Sequence, residues 1–141
     1  MESYEVTATI NATPEAVWAV LVDASGYTGW DSGVERVEGS IAFDNKIKVY
    51  SKVNPGRAFS VRVTGLDVPS SMTWTGGMPF GLFKGVRTFT LTPESETVTR
   101  FDMREEYTGL FLQPIWRSMP DLLPSFKQFA KGLKDKAERP A

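Results

Sequence analysis

Residues 115–138 read IWRSMPDLLPSFKQFAKGLKDKAE, and this stretch decides the fold. Its apolar residues recur at intervals of three and four, the spacing that places side chains on one face of an α-helix. A helix from Ser118 to Glu138 would be about 30 Å long, enough to lie across a small sheet. Its prolines make the first part irregular, so the regular portion is predicted to begin near Pro120 or Pro124. The apolar face consists of Ile115, Met119, Leu122, Leu123, Phe126, Phe129, Ala130 and Leu133.

Short strands and two short helices precede this segment. Residues 4–10 alternate apolar and polar side chains, which predicts a strand. Thr13-Pro14-Glu15 then has the cap, proline and acid typical of a helix start, and a second short helix is predicted around Tyr27 to Trp30. Because the later strands follow one another through short turns, including one at residues 54–57, the sheet should be antiparallel. The predicted later strands are residues 34–41, 46–53, 59–64, 72–75, 86–92 and 98–107.

The composition excludes several classes of function. Sixteen Lys and Arg against seventeen Asp and Glu give a net charge of −1, which argues against a nucleic-acid binder. The absence of Cys and His removes zinc–thiolate sites and Ser–His catalysis, so we expect no metal and no cofactor. The longest apolar run, residues 16–22, is too short to span a bilayer. With an acidic N-terminus unlike a signal peptide, the chain is expected to be a single cytoplasmic domain, residues 1–141, with no stable membrane insertion.

One Arg and one Glu fall on otherwise apolar strand faces. Arg87 shares a face with Phe89 and Leu91, and Glu105 shares one with Met103 and Tyr107. The hairpin between the two strands brings Arg87 opposite or diagonal to Glu105, so we predict an ion pair. It is either a structural pair that fixes strand register or a polar anchor in a pocket that grips a ligand's carboxylate or hydroxyl. A catalytic acid or base at Glu105 is a weaker alternative, because the arginine would hold it ionised.

Residues 76–85, GGMPFGLFKG, combine four glycines with four large apolar residues. They predict either a mobile flap over a cavity mouth or a twisted hairpin whose Met78, Phe80 and Phe83 cover one end of the core. Trp30 and Trp116 lie in irregular stretches and are the better pocket candidates among the tryptophans. Access to a cavity is expected near residues 116–124. The candidate ligand-binding residues are Arg87, Glu105, Trp30, Trp74, Phe89, Met103, Tyr107, Trp116, Met119, Leu123 and Phe126.

Several motifs together resemble the START-like, or SRPBCC, superfamily, and most closely its polyketide cyclase/dehydrase-like branch. The resemblance covers essentially the whole chain and implies a helix-grip fold of α+β class. In that fold a seven-stranded curved antiparallel sheet surrounds the C-terminal helix, two short helices follow the first strand, and a deep cavity lies between sheet and helix. The motifs are Ile10-Asn11-Ala12-Thr13-Pro14-Glu15-Ala16-Val17-Trp18, Leu21-Val22-Asp23, Met72-Thr73-Trp74, Gly85-Val86-Arg87-Thr88-Phe89, Thr99-Arg100-Phe101 and Glu105-Glu106-Tyr107-Thr108-Gly109-Leu110.

The function implied by this resemblance is binding of a small hydrophobic molecule, such as a lipid, a polyketide-like compound or an aromatic compound, in the internal cavity. An enzyme that cyclises or dehydrates such a molecule without a metal is the alternative, with Arg87 stabilising an enolate. A small protein-interaction domain is a third hypothesis. The protein is expected to be a monomer or a weak homodimer.

Overall fold

A computed structural model describes residues 1–52 and 56–139. Its seven strands form one antiparallel sheet in the order β1-β7-β6-β5-β4-β3-β2, which curls around the C-terminal helix. The α+β class and the helix-grip architecture predicted from the sequence are therefore confirmed. The strands are β1 (Glu2–Ile10), β2 (Val34–Glu38), β3 (Lys46–Ser51), β4 (Ala58–Asp67), β5 (Ser71–Gly77), β6 (Lys84–Ser95) and β7 (Val98–Thr108).

Two short helices follow β1, as predicted. The helix α1 (Pro14–Leu21) begins where expected, because the Thr13 hydroxyl accepts a hydrogen bond from the Ala16 N–H at 3.2 Å. The second is a 3-10 helix, Ala24–Gly29, which ends one residue before Trp30. It packs against β2 and closes that end of the sheet.

The C-terminal segment is two helices, and its long regular portion begins beside Pro124, as the prolines predicted. The helix α2 (Leu112–Ser118) and the helix α3 (Leu123–Glu138) are separated by residues 119–122. Met119 is extended, as expected for a residue that precedes a proline. Pro124 is tolerated in the first turn of α3, where its missing N–H has no partner to lose. The apolar face of α3 packs on the sheet, and Trp116 of α2 packs on Tyr4 and Tyr107. None of the described helices is long and apolar enough to cross a membrane.

Strands β1, β4, β5 and β6 are longer than predicted, whereas β2 is shorter. Strand β2 ends at Glu38 rather than at residue 41, because Gly39 adopts a positive φ of 100° that ends the extended chain. In the predicted turn at residues 54–57, Gly56 also has a positive φ, as a turn glycine should. Val53, Asn54 and Pro55 lie outside the described residues, so the predicted end of β3 and the rest of that turn are not compared.

The glycine-rich segment between β5 and β6 forms a hairpin with a 3-10 turn at Pro79–Gly81. The expectation that its apolar residues cover the core holds for Phe83, whose ring stacks on Tyr107 with centroids 6.0 Å apart. It is wrong for Phe80, which is 99% exposed, because a positive φ of 60° directs this residue away from the sheet. Met78 is also exposed.

The core lies between the inner face of the sheet and α3. Phe129 of α3 contacts Phe89 of β6 and Phe101 of β7, with ring centroids 6.0 Å and 6.2 Å apart. Gly132 brings the same helix close to the loop at Asp31, where an added methyl group would meet the Asp31 carbonyl oxygen. The stripe predicted from Phe126 to Leu133 is therefore buried as expected.

Candidate functional site

One row of inner-face residues crosses four neighbouring strands. Strand register places Trp74 of β5 opposite Arg87 of β6, Arg87 opposite Glu105 of β7, and Glu105 opposite Tyr4 of β1. Because directly opposed residues share a face, all four side chains point toward α3. The row therefore places a cation and an anion on the floor of the space that the helix covers.

The Arg87–Glu105 ion pair predicted from the sequence is formed. The Arg87 Nε donates to the Glu105 Oε1 at 2.9 Å, and the two side chains are 22% and 17% exposed. The Arg87 guanidinium also lies over the Phe126 ring of α3, 4.8 Å from its centroid. The pair thus connects β6, β7 and the C-terminal helix at a half-buried position.

Aromatic rings enclose the pair on the side of α2. The Trp116 ring lies 5.2 Å from that of Tyr4 and 5.5 Å from that of Tyr107, and Tyr4 also lies 5.4 Å from Phe126. Phe83 stacks on the far side of Tyr107. These five rings and the ion pair form an aromatic cage, consisting of Tyr4, Arg87, Phe83, Glu105, Tyr107, Trp116 and Phe126.

Polar atoms in and beside the cage lack protein partners. The Trp74 Nε1 and the Tyr107 hydroxyl are buried without a hydrogen bond to any described residue. The ion pair uses one of the five N–H groups of Arg87, and the described residues supply no partner for the others. Buried polar groups are normally paired, so the two unpaired buried donors suit a site for an acceptor atom of a ligand or a water.

Tyr107 is held in its neutral form. Burial is the main cause that raises the pKa of its phenol above the ordinary value, and the nearby Glu105 carboxylate raises it further. Glu105 is near enough to exert this effect, although the two groups do not have the geometry of a formed hydrogen bond. The Tyr107 hydroxyl is therefore available as a donor at neutral pH.

Glycine leaves room beside the ion pair. Gly85 lies opposite Tyr107 on the inner face, and the atoms nearest to a Cβ there would be those of the Tyr107 ring at 3.6 Å and Glu105 at 3.8 Å. These are ordinary contact distances, so no neighbouring group occupies the position of the missing side chain. A methyl group at residue 85 would therefore fit in ordinary contact with Tyr107 and Glu105.

The other predicted ligand-binding residues lie either in the core or at the break between α2 and α3. Phe89 and Met103 face each other one step along the sheet and are fully buried. Trp30 is not part of the cage, because its ring packs against Tyr27 and Phe129 at 5.3 Å and 5.2 Å. Met119 and Leu123 are half-buried at the break between α2 and α3.

Two open grooves lie outside the cage. An outer groove of about 480 Å³ crosses the outer face of the sheet beside Arg62, Thr75 and Lys84. An edge groove of about 370 Å³ lies between β1 and α3. Neither groove is lined by a predicted ligand-binding residue, and the enclosed cavity between sheet and helix stays a prediction. Within residues 1–52 and 56–139, acidic side chains form no cluster that could hold a metal ion.

Sequence reasoning missed two members of the cage, Tyr4 and Phe83. Tyr4 occupies an inner position of the alternating pattern of β1, but its place beside Glu105 depends on the pairing of the first and last strands. That pairing joins residues about a hundred positions apart, and no local pattern in the sequence specifies it. Phe83 was identified as a core residue of the hairpin and not as a neighbour of Tyr107.

Comparison with known proteins agrees with this architecture. No curated protein sequence matches the chain. Among solved structures, protein MLL2253 from Mesorhizobium loti is similar with a TM-score of 0.76 and 17% identity over 99% of both chains. The aromatase/cyclase ZhuI from Streptomyces sp. R1128 has a TM-score of 0.73 and 16% identity over 98% of this chain and 94% of that one. A START superfamily protein from Mycobacterium smegmatis has a TM-score of 0.69 and 14% identity, over 96% and 97%.

At these identities the likeness to solved structures establishes the fold alone. The family model described as polyketide cyclase / dehydrase and lipid transport matches residues 1–138, nearly the whole chain. The chain therefore belongs to this family.

Proposed function

We propose that this protein binds a small hydrophobic molecule that carries a neutral acceptor oxygen, such as an aromatic or polyketide-like ketone or phenol. The observation that carries the proposal is the set of unpaired donors at the aromatic cage, namely the Trp74 Nε1, the Tyr107 hydroxyl and the free N–H groups of Arg87. The apolar body of the ligand would contact the rings of the cage. Its oxygen would accept from the donors.

The charge of the site favours a neutral acceptor over a carboxylate. Glu105 already neutralises Arg87 at 2.9 Å, so a carboxylate ligand would place a second anion beside one guanidinium. Two anions at such a distance repel each other in a half-buried place. A carbonyl oxygen or a phenol accepts hydrogen bonds without this cost. The sequence predicted that the ion pair grips a carboxylate or a hydroxyl of the ligand. The charge of the site favours the neutral hydroxyl over the carboxylate.

Access is proposed at the break between α2 and α3. Residues 119–122 are not helical, and Trp116, Met119 and Leu123 are only half-buried there. A shift of α2 would uncover the Tyr4 and Tyr107 rings without disturbing the hydrogen bonds of the sheet. The protein would then act as a carrier or sensor, because binding requires no covalent chemistry.

The test compares two probes of nearly equal shape. Methyl naphthyl ketone offers a carbonyl oxygen, whereas isopropylnaphthalene has a methyl group in its place. Titration calorimetry should show the ketone binding about tenfold or more tightly, since a hydrogen bond to a charged donor contributes about 1.5–3 kcal/mol. The Arg87→Met variant should lose this preference. Arg62→Met, which removes an exposed arginine on the outer face, should retain it.

Equal affinity of the two probes for the unaltered protein would overturn the proposal. So would an Arg87→Met variant that is less stable but keeps the preference for the ketone, because the ion pair would then be structural. Native mass spectrometry of the purified protein supplies an independent test: a co-purifying ligand should be apolar and contain oxygen.

Cyclase or dehydratase activity is the second candidate function. It is favoured by the hydrogen-bond donors of Arg87 and Trp74, which flank a single carboxylate, that of Glu105. In an enolisation step, the Glu105 carboxylate would take a proton from the carbon beside the ketone. The C–H electrons would form the C=C bond, and the carbonyl electron pair would move to the oxygen, stabilised by Arg87 and Trp74. Exchange of the methyl protons of methyl naphthyl ketone in deuterium oxide measures this step. Exchange accelerated by the protein and lost in Glu105→Gln would support the enzyme. Binding without accelerated exchange would favour the carrier.

A further inference from the structure

The first strand offers a long and regular open edge. Strand β1 pairs with β7 without a register shift from Glu2 to Ile10, and its other side faces no strand in the described part of the chain. The opposite edge of the sheet is blunted, because β2 has five residues, a register shift and a 3-10 helix packed against it. Long regular edges are templates for the addition of another strand, and proteins normally protect them.

Side chains of α3 form hydrogen bonds with one end of the β1 edge, and the helix runs beside the rest of the strand. The Lys134 ammonium donates to the Thr9 carbonyl oxygen at 2.8 Å, and the Asn11 N–H donates to the Glu138 carboxylate at 2.8 Å. The backbone groups of Thr9 therefore point away from β7. Since backbone direction alternates along a strand, those of Ser3, Glu5 and Thr7 point to the same open side. The backbone N–H and C=O groups of these three residues form no hydrogen bond with any described residue on the open side.

A basic groove runs along this open stretch. The edge groove of about 370 Å³ is bounded by residues 5–8 of β1 and by Lys127, Ala130, Lys131 and Lys134 of α3. Lys127 and Lys131 are exposed, lie one helical turn apart, and form no salt bridge with a described residue. The groove thus combines free backbone donors and acceptors with two unpaired cations on its α3 side.

A second copy of this chain is a poor occupant of the groove. Two β1 strands paired antiparallel about the centre of the free stretch would place one Glu5 directly opposite the other. Both α3 helices would then lie on the same face of the joined sheet and bring their Lys127 and Lys131 pairs toward each other. Like charges in these positions oppose association, so the charge distribution favours an acidic partner.

We propose that the β1 edge from Ser3 to Thr7 binds an extended acidic segment of another protein by strand addition. Backbone hydrogen bonds to Ser3, Glu5 and Thr7 would hold the segment beside β1, about 4.8 Å away. Its alternate side chains would face α3, where acidic residues would meet Lys127 and Lys131. This site is separate from the aromatic cage and does not depend on its ligand.

The test uses a synthetic peptide, acetyl-Thr-Glu-Thr-Glu-Thr-Glu-Thr-amide with a fluorescent label, and fluorescence anisotropy. Saturable binding that weakens with added salt is expected. The double variant Lys127→Glu/Lys131→Glu should weaken binding at least about tenfold, since two attractive contacts become repulsive. Lys48→Glu/Lys52→Glu makes the same charge change at exposed positions on and after β3, and should alter affinity less than about twofold.

Backbone methylation separates strand addition from simple charge attraction. Because alternate amides of an added strand point to β1, peptides N-methylated at one set of alternate residues should lose binding, while those methylated at the other set should keep it. Equal binding of both methylated peptides would overturn the proposal, as would no binding at about millimolar peptide. Sedimentation of the unaltered protein as a dimer that Thr7→Pro dissociates would assign the edge to a second copy and also overturn it.

Discussion

Replacing Gly132 by alanine should destabilise the protein, although the same change inside most helices is stabilising. Gly132 lies in the middle of α3, where alanine is normally favoured by about 0.8–1.0 kcal/mol. Here the added Cβ would overlap the carbonyl oxygen of Asp31 and lie 2.6 Å from its carbonyl carbon. Relieving a clash with backbone requires the loop or the helix to move, and such overpacking costs about 1–3 kcal/mol, occasionally more.

Because the contact is with backbone, the cost of the clash should lie near the upper end of that range. It then exceeds the helix preference of alanine. We therefore expect Gly132→Ala to lower the free energy of unfolding by about 1–2 kcal/mol. In urea this corresponds to a fall in midpoint of about 0.5–1 M at a slope of about 2 kcal/mol per M, in the middle of the range for small proteins. The measurement is urea unfolding followed by tryptophan fluorescence and circular dichroism.

Gly29→Ala is the matched control, since nothing lies within 4 Å of the position that its Cβ would take. It should change the free energy of unfolding by less than about 0.5 kcal/mol or raise it slightly. A Gly132→Ala variant as stable as the natural protein would refute the reasoning, because the loop at Asp31 would then not be packed against α3 as described.

Further outcomes follow from the ion pair, the buried tyrosines and the first helix cap. Arg87→Met should lower the free energy of unfolding by about 2–3 kcal/mol in calorimetry, because Glu105 is left half-buried and unpaired, and Arg87→Met/Glu105→Leu should recover most of it. Burial raises the pKa values of Tyr27 and Tyr107 in the folded state, so both lose protons on unfolding at high pH. Stability should therefore fall above about pH 10 by about 1.4 kcal/mol per pH unit for each tyrosine, and replacing either with Phe should reduce that slope in unfolding measured from pH 9 to 12. Thr13→Ala should cost about 1 kcal/mol in the same unfolding assay, and a cost below about 0.3 kcal/mol would contradict the observed cap.

Local patterns in the sequence were sufficient to predict the elements whose apolar residues recur at one regular spacing. The alternation of β6 and β7 predicted that Arg87 and Glu105 share inner faces, and the strand register places them directly opposite. The cap at Thr13 likewise depends only on neighbouring residues. These features are local, so the residues that produce them are visible within a short window.

The break between α2 and α3 was also predicted locally, because Pro120 interrupts the hydrogen bonds that would join the two helices. The parts that the sequence did not predict depend on distant contacts. Tyr4 reaches Glu105 only through the pairing of β1 with β7, and Trp30 is drawn into the core by contacts with Phe129. Side-chain periodicity specifies which face a residue occupies, but not which distant strand or helix it meets.

The indole N–H signals of Trp74 and Trp30 test the central claim most directly, because both groups are buried without a protein partner. Only Trp74 lies opposite Arg87, so titration with methyl naphthyl ketone in a proton magnetic resonance experiment should move the Trp74 signal downfield and leave that of Trp30 in place. Trp74→Phe and Trp30→Phe assign the two signals. Saturable binding of the ketone that moves neither signal, or moves that of Trp30 alone, would contradict the proposed binding site.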